Sequence, residues 1–362
     1  MNWPDRLRRE EKEFIAAESE KAEKLGRLTE KQLQLIYRQK WFHLLVPAEI
    51  GGAEMDLVDF ALLMEEMARV DGSFAWAVNL GAGANMFAGF MKPAVAKEIF
   101  GSEKACVAGS GAVGGEAEKK KEGFMINGRW KYASGAKHAT HFSFNSPIDG
   151  DVNNIKSFLM PLKYVEILET WQVMGLKATS SCDFIVENGW VPHDYSFDLQ
   201  EPSPYSRKTL YRFPFMILAE INMLVMLTGL AKSFFEQCMQ IAEGKIRKTH
   251  SSQNLLLKEP LFEKKSKQLL QRFEDKRKVV FGLLEQIWNK VGKEEEIGKE
   301  EEEQFTNSVL ESAVASRKMV DGIYPLMAMS VVFEKSKINR TWRDFKVASQ
   351  HALLSEMRGK TS

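Results

Sequence analysis

The feature that most constrains this chain is a double change of hydrophobic period. Apolar residues first recur at helical spacing, as Leu7, Phe14, Leu25, Leu28, Leu33 and Ile36 and then Leu57, Phe60, Ala61, Met64 and Met67. Near residue 103 the pattern shortens. Phe124 to Ile126, Trp130 to Ala133, His141 to Phe144, Ser157 to Met160 and Asp183 to Val186 are brief apolar runs punctuated by Gly, Asn and Pro. Such runs read as strands. From Leu210 onward the 3.6-residue period returns, with long segments near 208–245, 258–291 and 304–333 and a shorter one from Ile338 to Glu356. A helix buries one stripe and a sheet one face, so this order excludes alternating βαβ units. The expected architecture is α+β: an N-terminal helical domain over 1–103, a β-barrel domain over 104–195 and a C-terminal four-helix bundle over 196–362.

Local signals refine the outline. Thr29 stands where an N-cap is needed, and Pro47 with Gly51-Gly52 breaks structure before the helix near 55–70. Ser73 to Phe90 carries almost no charge and must be buried on most sides, as a core helix beneath a site. Phe213 to Leu230 is apolar enough to suggest a membrane span, yet it holds Pro214, Glu220 and Asn222. Ionisable groups at a bilayer centre cost about 2.5–3.5 kcal/mol on insertion scales, so it reads as a buried bundle helix. The acidic run Lys293 to Glu303 reads as a solvated hairpin loop.

Composition excludes several function classes. Among 362 residues, 50 Lys and Arg nearly balance 49 Asp and Glu, which leaves no surplus to neutralise nucleic acid or an anionic membrane. Cys106, Cys182 and Cys238 are odd in number, far apart and outside any zinc spacing, so neither a disulfide framework nor a metal site is expected. The first thirty residues lack an apolar run ahead of a cleavage site, and a cytoplasmic protein is the expectation.

Four stretches, in order along nearly the whole chain, resemble the acyl-CoA dehydrogenase superfamily of flavoproteins. They are Val46 to Gly52, followed by a helix with Glu65-Glu66 and Asp71; Asn127 to Ala139; Met174 to Asp183, with Trp190-Val191-Pro192 after it; and Arg340 to Asp344 with Gln350-His351. The pairing of N-G-R-W-x-Y-x-S-G with an R-x-W-R-D ending and a following His is similar to the oxygenase components of two-component flavin monooxygenases. That resemblance implies a flavin, FAD or FMN, bound in its reduced form and delivered by a separate reductase. It also implies a small-molecule substrate and assembly as a dimer of dimers.

The resemblance assigns roles by position. Ser134 falls where a donor meets flavin N5, Tyr132 where an aromatic packs on the ring system, and Gly135 beside them. Ser110 and Gly111, within Ala108 to Gly115, replace an acidic phosphate-side loop with small residues. His351 is the acid/base candidate, because an imidazole with pKa of about 6.5 can exchange a proton with an oxygen near neutrality. His138, Phe87 and Phe215 are candidates for the substrate pocket. Arg343 and Asp344 read as a structural ion pair.

Two alternatives stay open. An acyl-CoA dehydrogenase needs a carboxylate base; the position after Arg343-Asp344 that would hold one is Ala352, leaving only Glu220 and Glu236. The motif that grips a flavin pyrophosphate is weakened at Ile246 to His250, which lacks Phe-Gly. A member that keeps the fold as a binding or scaffold protein is the third reading.

Overall fold

The first helices form where the caps predict. In the computed structural model, which describes residues 6–248 and 253–358, α1 spans Arg9–Leu25 and α2 Glu30–Arg38. Thr29 Oγ1 accepts from the Gln32 amide at 3.2 Å while Gln32 Oε1 accepts from the Thr29 amide at 3.0 Å, closing a capping box. Asp56 caps α3, Leu57–Val70, and Asp71 caps α4, Gly72–Asn85, by accepting from the Phe74 amide at 2.8 Å. A short α5, Pro93–Phe100, completes the N-terminal helices. At the end of α4, Asn85 Nδ2 donates to the carbonyls of Phe42 and Ala105, both at 2.9 Å, and its Oδ1 accepts from the Val107 amide. One buried side chain thus fixes the helical region to the first strand.

The strands run from β1, Val107–Val113, through β2, Glu116–Lys119; β3, Gly123–Ala133; β4, His141–Ile148; β5, Asp151–Pro161; β6, Glu166–Leu168; and β7, Cys182–Pro192, to β8, Ser196–Phe197. Their order is β6-β7-β3-β2-β4-β5-β8, with β1 parallel to β4. The sheet is open, which corrects the expected barrel. Its terminal strands hold three and two residues, too few backbone groups to pair across the gap. Its own core forms around Trp130, which packs on Phe144 and Phe184 with ring centroids 4.3 and 5.3 Å apart.

The C-terminal region is helical. A short α6, Thr209–Arg212, precedes α7, Phe215–Gly244, α8, Pro260–Gly292, α9, Lys299–Ile323, and α10, Lys337–Ala348. Helix α7 packs against α3 of the N-terminal region as well as α9 and α10, and most of its apolar stretch is buried in protein. Three helices are joined by a buried ion pair: Arg277 of α8 meets Glu65 of α3 at 2.5 Å, and Thr228 of α7 donates to the same carboxylate at 2.6 Å. Between α7 and α8, in the gap that the helical pattern leaves at 246–257, a short antiparallel pair forms from β9, Ile246–Lys248, and β10, Gln253–Leu255. Thr249 and His250 lie outside the described residues. The acidic run divides: Glu294 to Glu296 stay in the loop, while Glu300 to Glu302 enter the first turn of α9, where negative charge suits the helix N-terminus.

Candidate active site

Ser134 is placed by a distortion of the sheet. The β3–β7 pairing shifts register between Trp130 and Ala133, and inside that irregularity Tyr132 adopts φ +65°. A bulky residue in the left-handed region is strained, and such strain persists only when its surroundings enforce it. Tyr132 remains 64% exposed, its ring in an edge-to-face contact with Trp171 with centroids 6.3 Å apart, while Ser134 turns inward and is buried. Gly135 follows at φ +87°, and a Cβ there would meet His138 Nε2 at 3.1 Å. The Gly135 amide donates to the Thr179 carbonyl at 2.8 Å, which brings the turn after β3 against the turn before β7.

Around Ser134 the hydroxyls form a chain. Trp76 Nε1 on α4 donates to Ser134 Oγ at 3.1 Å. Ser134 Oγ lies 2.8 Å from Ser181 Oγ, which lies 2.7 Å from Thr179 Oγ1, and Thr179 Oγ1 reaches the Leu176 carbonyl at 2.8 Å. Leu176 and Ser180 both have positive φ, and the Leu176 amide donates to Asp344 Oδ1 at 2.5 Å, pinning this turn to α10. Burial is the main reason the Asp344 carboxyl is pushed up to about 8, with the neighbouring Asp71 charge adding to it. Arg343 does not pair with Asp344; it bonds Glu23, Asn339 Oδ1 and the Met174 carbonyl. The expected ion pair is therefore two separate anchors, because adjacent residues on a helix point about 100° apart.

His351 reaches Trp76 from the segment after α10. The helix expected to carry it ends at Ala348, and His351 instead caps a short turn, Ala352–Leu354. Its Nδ1 accepts from the Leu353 amide at 3.3 Å, which leaves the proton of the neutral ring on Nε2. Burial, helped by the nearby Arg358 charge, lowers its pKa to about 4. At neutral pH this imidazole is an N–H donor rather than a protonated acid, a correction to the expectation of titration near 6.5. Its ring sits 6.1 Å from the indole of Trp76. Trp76 therefore touches both predicted catalytic residues. Sequence reasoning placed it inside a core helix without singling it out, because an indole in a charge-free helix carries no signal beyond burial.

The other predicted residues divide. His138 joins this region: its ring stacks on Phe42 at 5.6 Å, burial lowers its pKa to about 4, and its buried Nε2 has no hydrogen-bond partner. Phe87 and Phe215 pack with each other at 6.4 Å, and Phe87 with Phe197 at 5.0 Å. That group lies beyond the far end of α4, about 16 Å along the axis from Trp76. Ser110 and Gly111 lie in strand β1 rather than in a loop, and their contacts run to the Ala112 amide and to Asn145 Nδ2. Neither candidate base is free. Glu220 is buried with Arg358 at 2.7 Å and Thr306 at 2.9 Å, and Glu236 pairs with Arg69 at 2.8 Å. No group of three metal-ligating side chains occurs among the described residues.

The arrangement fits one edge of a flat heteroaromatic ring. Ser134 Oγ retains hydrogen-bonding capacity, His138 Nε2 is a buried polar atom without a partner, and the exposed Tyr132 ring is held by strain beside them. A buried unsatisfied polar atom costs about 1–3 kcal/mol, a cost that a bound ligand removes.

Residues 4–101 match the acyl-CoA dehydrogenase N-terminal domain and residues 223–356 its C-terminal domain, and the chain belongs to that family. The indole-3-acetate monooxygenase of Acinetobacter baumannii is 25% identical over 319 residues, 87% of this chain and 81% of the relative. Among solved structures, 3-HSA hydroxylase from Rhodococcus sp. RHA1 superposes with TM-score 0.87 at 18% identity, covering 96% of this chain and 92% of the other. XiaF from Streptomyces sp., in complex with FADH2 and glycerol, gives 0.86 at 18% identity over 96% and 90%.

Proposed function

We propose that this protein is the oxygenase component of a two-component flavin-dependent monooxygenase, taking reduced flavin from a separate reductase and using O2 to oxygenate a small aromatic molecule. One observation carries the reading: Trp76 brings the Ser134 hydroxyl and the His351 imidazole to one buried site, while the two candidate bases, Glu220 and Glu236, are both committed to ion pairs. A dehydrogenase requires a free carboxylate near its flavin; an oxygenase requires donors around a dry pocket.

Reduced flavin, FMN or FAD, supplies when bound the electrons that activate O2. Ser134 would hold its N5 edge, Tyr132 and Gly135 would flank the ring, and Ser110 and Gly111 offer open backbone toward its tail. His351 would present Nε2–H to an oxygen at the reacting centre, with Trp76 fixing both groups. His138 would complete the rim beside an aromatic substrate, the class named in relatives such as the indole-3-acetate enzyme, while Phe87 and Phe215, about 16 Å along α4, lie too far away to wall the reacting centre. Helices α7 to α10 would act as a four-helix bundle and carry assembly into a dimer of dimers. The three cysteines, buried and unpaired, suit a reducing cytoplasm.

Thermal unfolding with each flavin tests this. Ligand at 100 times its dissociation constant stabilises the native state by about 2.7 kcal/mol, so reduced FMN or FAD should raise the melting temperature and should then support incorporation of labelled O2 into indole or phenol. No shift with either flavin in either redox state, up to millimolar concentration, returns the protein to the scaffold reading. Bleaching of bound flavin by an acyl-CoA returns it to the dehydrogenase reading.

A further inference from the structure

The hydroxyl chain behind Ser134 has a direction. Its one pure donor is the Trp76 indole N–H and its one pure acceptor is the Leu176 carbonyl. Between them stand Ser134, Ser181 and Thr179, each with one proton to give, and all three are buried. Running every bond the same way satisfies the whole set: Trp76 donates to Ser134, Ser134 to Ser181, Ser181 to Thr179 and Thr179 to Leu176. Each proton along the chain meets an acceptor, the terminal Leu176 carbonyl accepting also from Trp171 Nε1 at 2.9 Å, and chains aligned head to tail polarise and strengthen one another. The Leu176 turn is itself fixed, since its amide is held by Asp344 and the Gly135 amide is held by the Thr179 carbonyl.

We infer that Ser181 and Thr179, which do not touch the ligand, are the residues that set the preference of such a site for reduced over oxidised flavin. In the aligned arrangement the Ser134 proton is committed to Ser181, and one of its two lone pairs is taken by Trp76. Only a lone pair remains for a ligand. Reduced flavin carries a hydrogen on N5 and can donate to it. Oxidised flavin has a bare N5 that needs a donor, and Ser134 could donate only by giving up its bond to Ser181, or by reversing Ser181 and Thr179 at the loss of the Thr179 bond to the Leu176 carbonyl; either way one buried hydrogen bond is lost. The selectivity therefore arises from residues behind the contact atom. It gives a physical purpose to the Thr179-Ser180-Ser181 stretch, and it rests on the placement of flavin N5 at Ser134 proposed above.

The test compares dissociation constants of FMN and anaerobically reduced FMN for the full-length protein and its variants. The wild type should favour the reduced form. Ser181→Ala frees the Ser134 proton to turn toward N5 and should lower that preference about tenfold, by weakening reduced and strengthening oxidised binding. Thr179→Val, which keeps side-chain volume, should act in the same direction, while Thr179→Ser keeps the chain and should stay near wild type. The same tenfold change lowers the midpoint potential of the bound two-electron couple by about 30 mV, which potentiometry reads independently of turnover. A wild type that binds reduced flavin with a preference unchanged in both Ser181→Ala and Thr179→Val overturns this inference alone. A wild type that binds neither form overturns it together with the flavin reading.

Discussion

Two buried polar clusters in this molecule, one built on an ion pair and one on hydroxyls, differ in what they leave over. The Glu65–Arg277–Thr228 cluster is saturated: Arg277 meets both carboxylate oxygens, Thr228 adds a third bond, and the guanidinium also lies 4.6 Å over the ring of Phe281. The Ser134 cluster keeps an unused lone pair on Ser134 and an unpartnered nitrogen on His138. Saturation serves packing, because every remaining atom is paired within the fold. Leftover capacity serves a ligand, because burial without a partner costs free energy until something binds. The difference yields expected outcomes on opposite observables.

Breaking the saturated cluster should have the largest effect on stability. Arg277→Met leaves Glu65 buried without its partner, and removing one member of a buried pair costs about 3–5 kcal/mol. Denaturant titration should show that loss, and Glu65→Gln added to Arg277→Met should recover part of it, as expected for residues in contact. Flavin affinity of the folded fraction should be unchanged. An Arg277→Met protein that is stable yet blind to flavin would break the comparison.

His351→Asn should do the reverse. Asn keeps an oxygen that can accept the Leu353 amide and is a favoured cap, but it lacks the Nε2–H donor. Folding and flavin binding should survive, while substrate oxygenation falls by about 10² and reducing equivalents appear as hydrogen peroxide. Because burial holds His351 near pKa 4, the wild-type rate should show no inflection from this group around pH 6.5. An inflection there that disappears in His351→Asn would restore the acid role that the sequence alone suggests.

How far the sequence carried these statements depends on the residue. Helix order, the strands from Phe124 to Val186 and the Thr29 cap were legible, since periodicity and capping are local properties. The open sheet was not, because closure depends on how β6 and β8 meet, and their three and two residues leave no pattern to read. Ser134 and His351 were legible only as positions in a resemblance, and Trp76, the residue that joins them, was not singled out. The Arg343-Asp344 dipeptide showed two charges but not their partners, which come from α1 and from the turn at Leu176. Ionisation states were equally hidden, since the Asp344 carboxyl and the two site imidazoles depart from ordinary values through tertiary burial.

Asp344 sharpens the comparison through pH. In the unfolded chain its carboxyl titrates near 3.8, and in the fold near 8. The folded state therefore holds the proton more tightly, so stability from this group is fully present below about pH 4 and is lost as pH rises through 8. Asp344→Asn keeps an acceptor for the Leu176 amide and never ionises. Its advantage over wild type should grow steadily from pH 5 to pH 8 and level off above it, as measured by denaturant midpoints across that range. A variant destabilised equally at every pH would mean that the carboxylate itself anchors the turn.

The smallest effect is expected at Trp76, and it separates the indole's two contacts. Trp76→Phe keeps an aromatic ring against His351 but removes the N–H donated to Ser134. Net, such a bond is worth about 1 kcal/mol, so the melting temperature should fall only slightly. Ser134 then has one more free lone pair while its proton stays committed to Ser181, so preference for reduced flavin should persist where Ser181→Ala erodes it. Product formation should drop by less than in His351→Asn, because the ring that positions the imidazole is still present. If Trp76→Phe instead matched His351→Asn in activity with flavin affinity intact, the indole N–H rather than the ring would be the feature that organises His351, and the Ser134 and His351 sides of the site would have to be treated as one hydrogen-bonded unit.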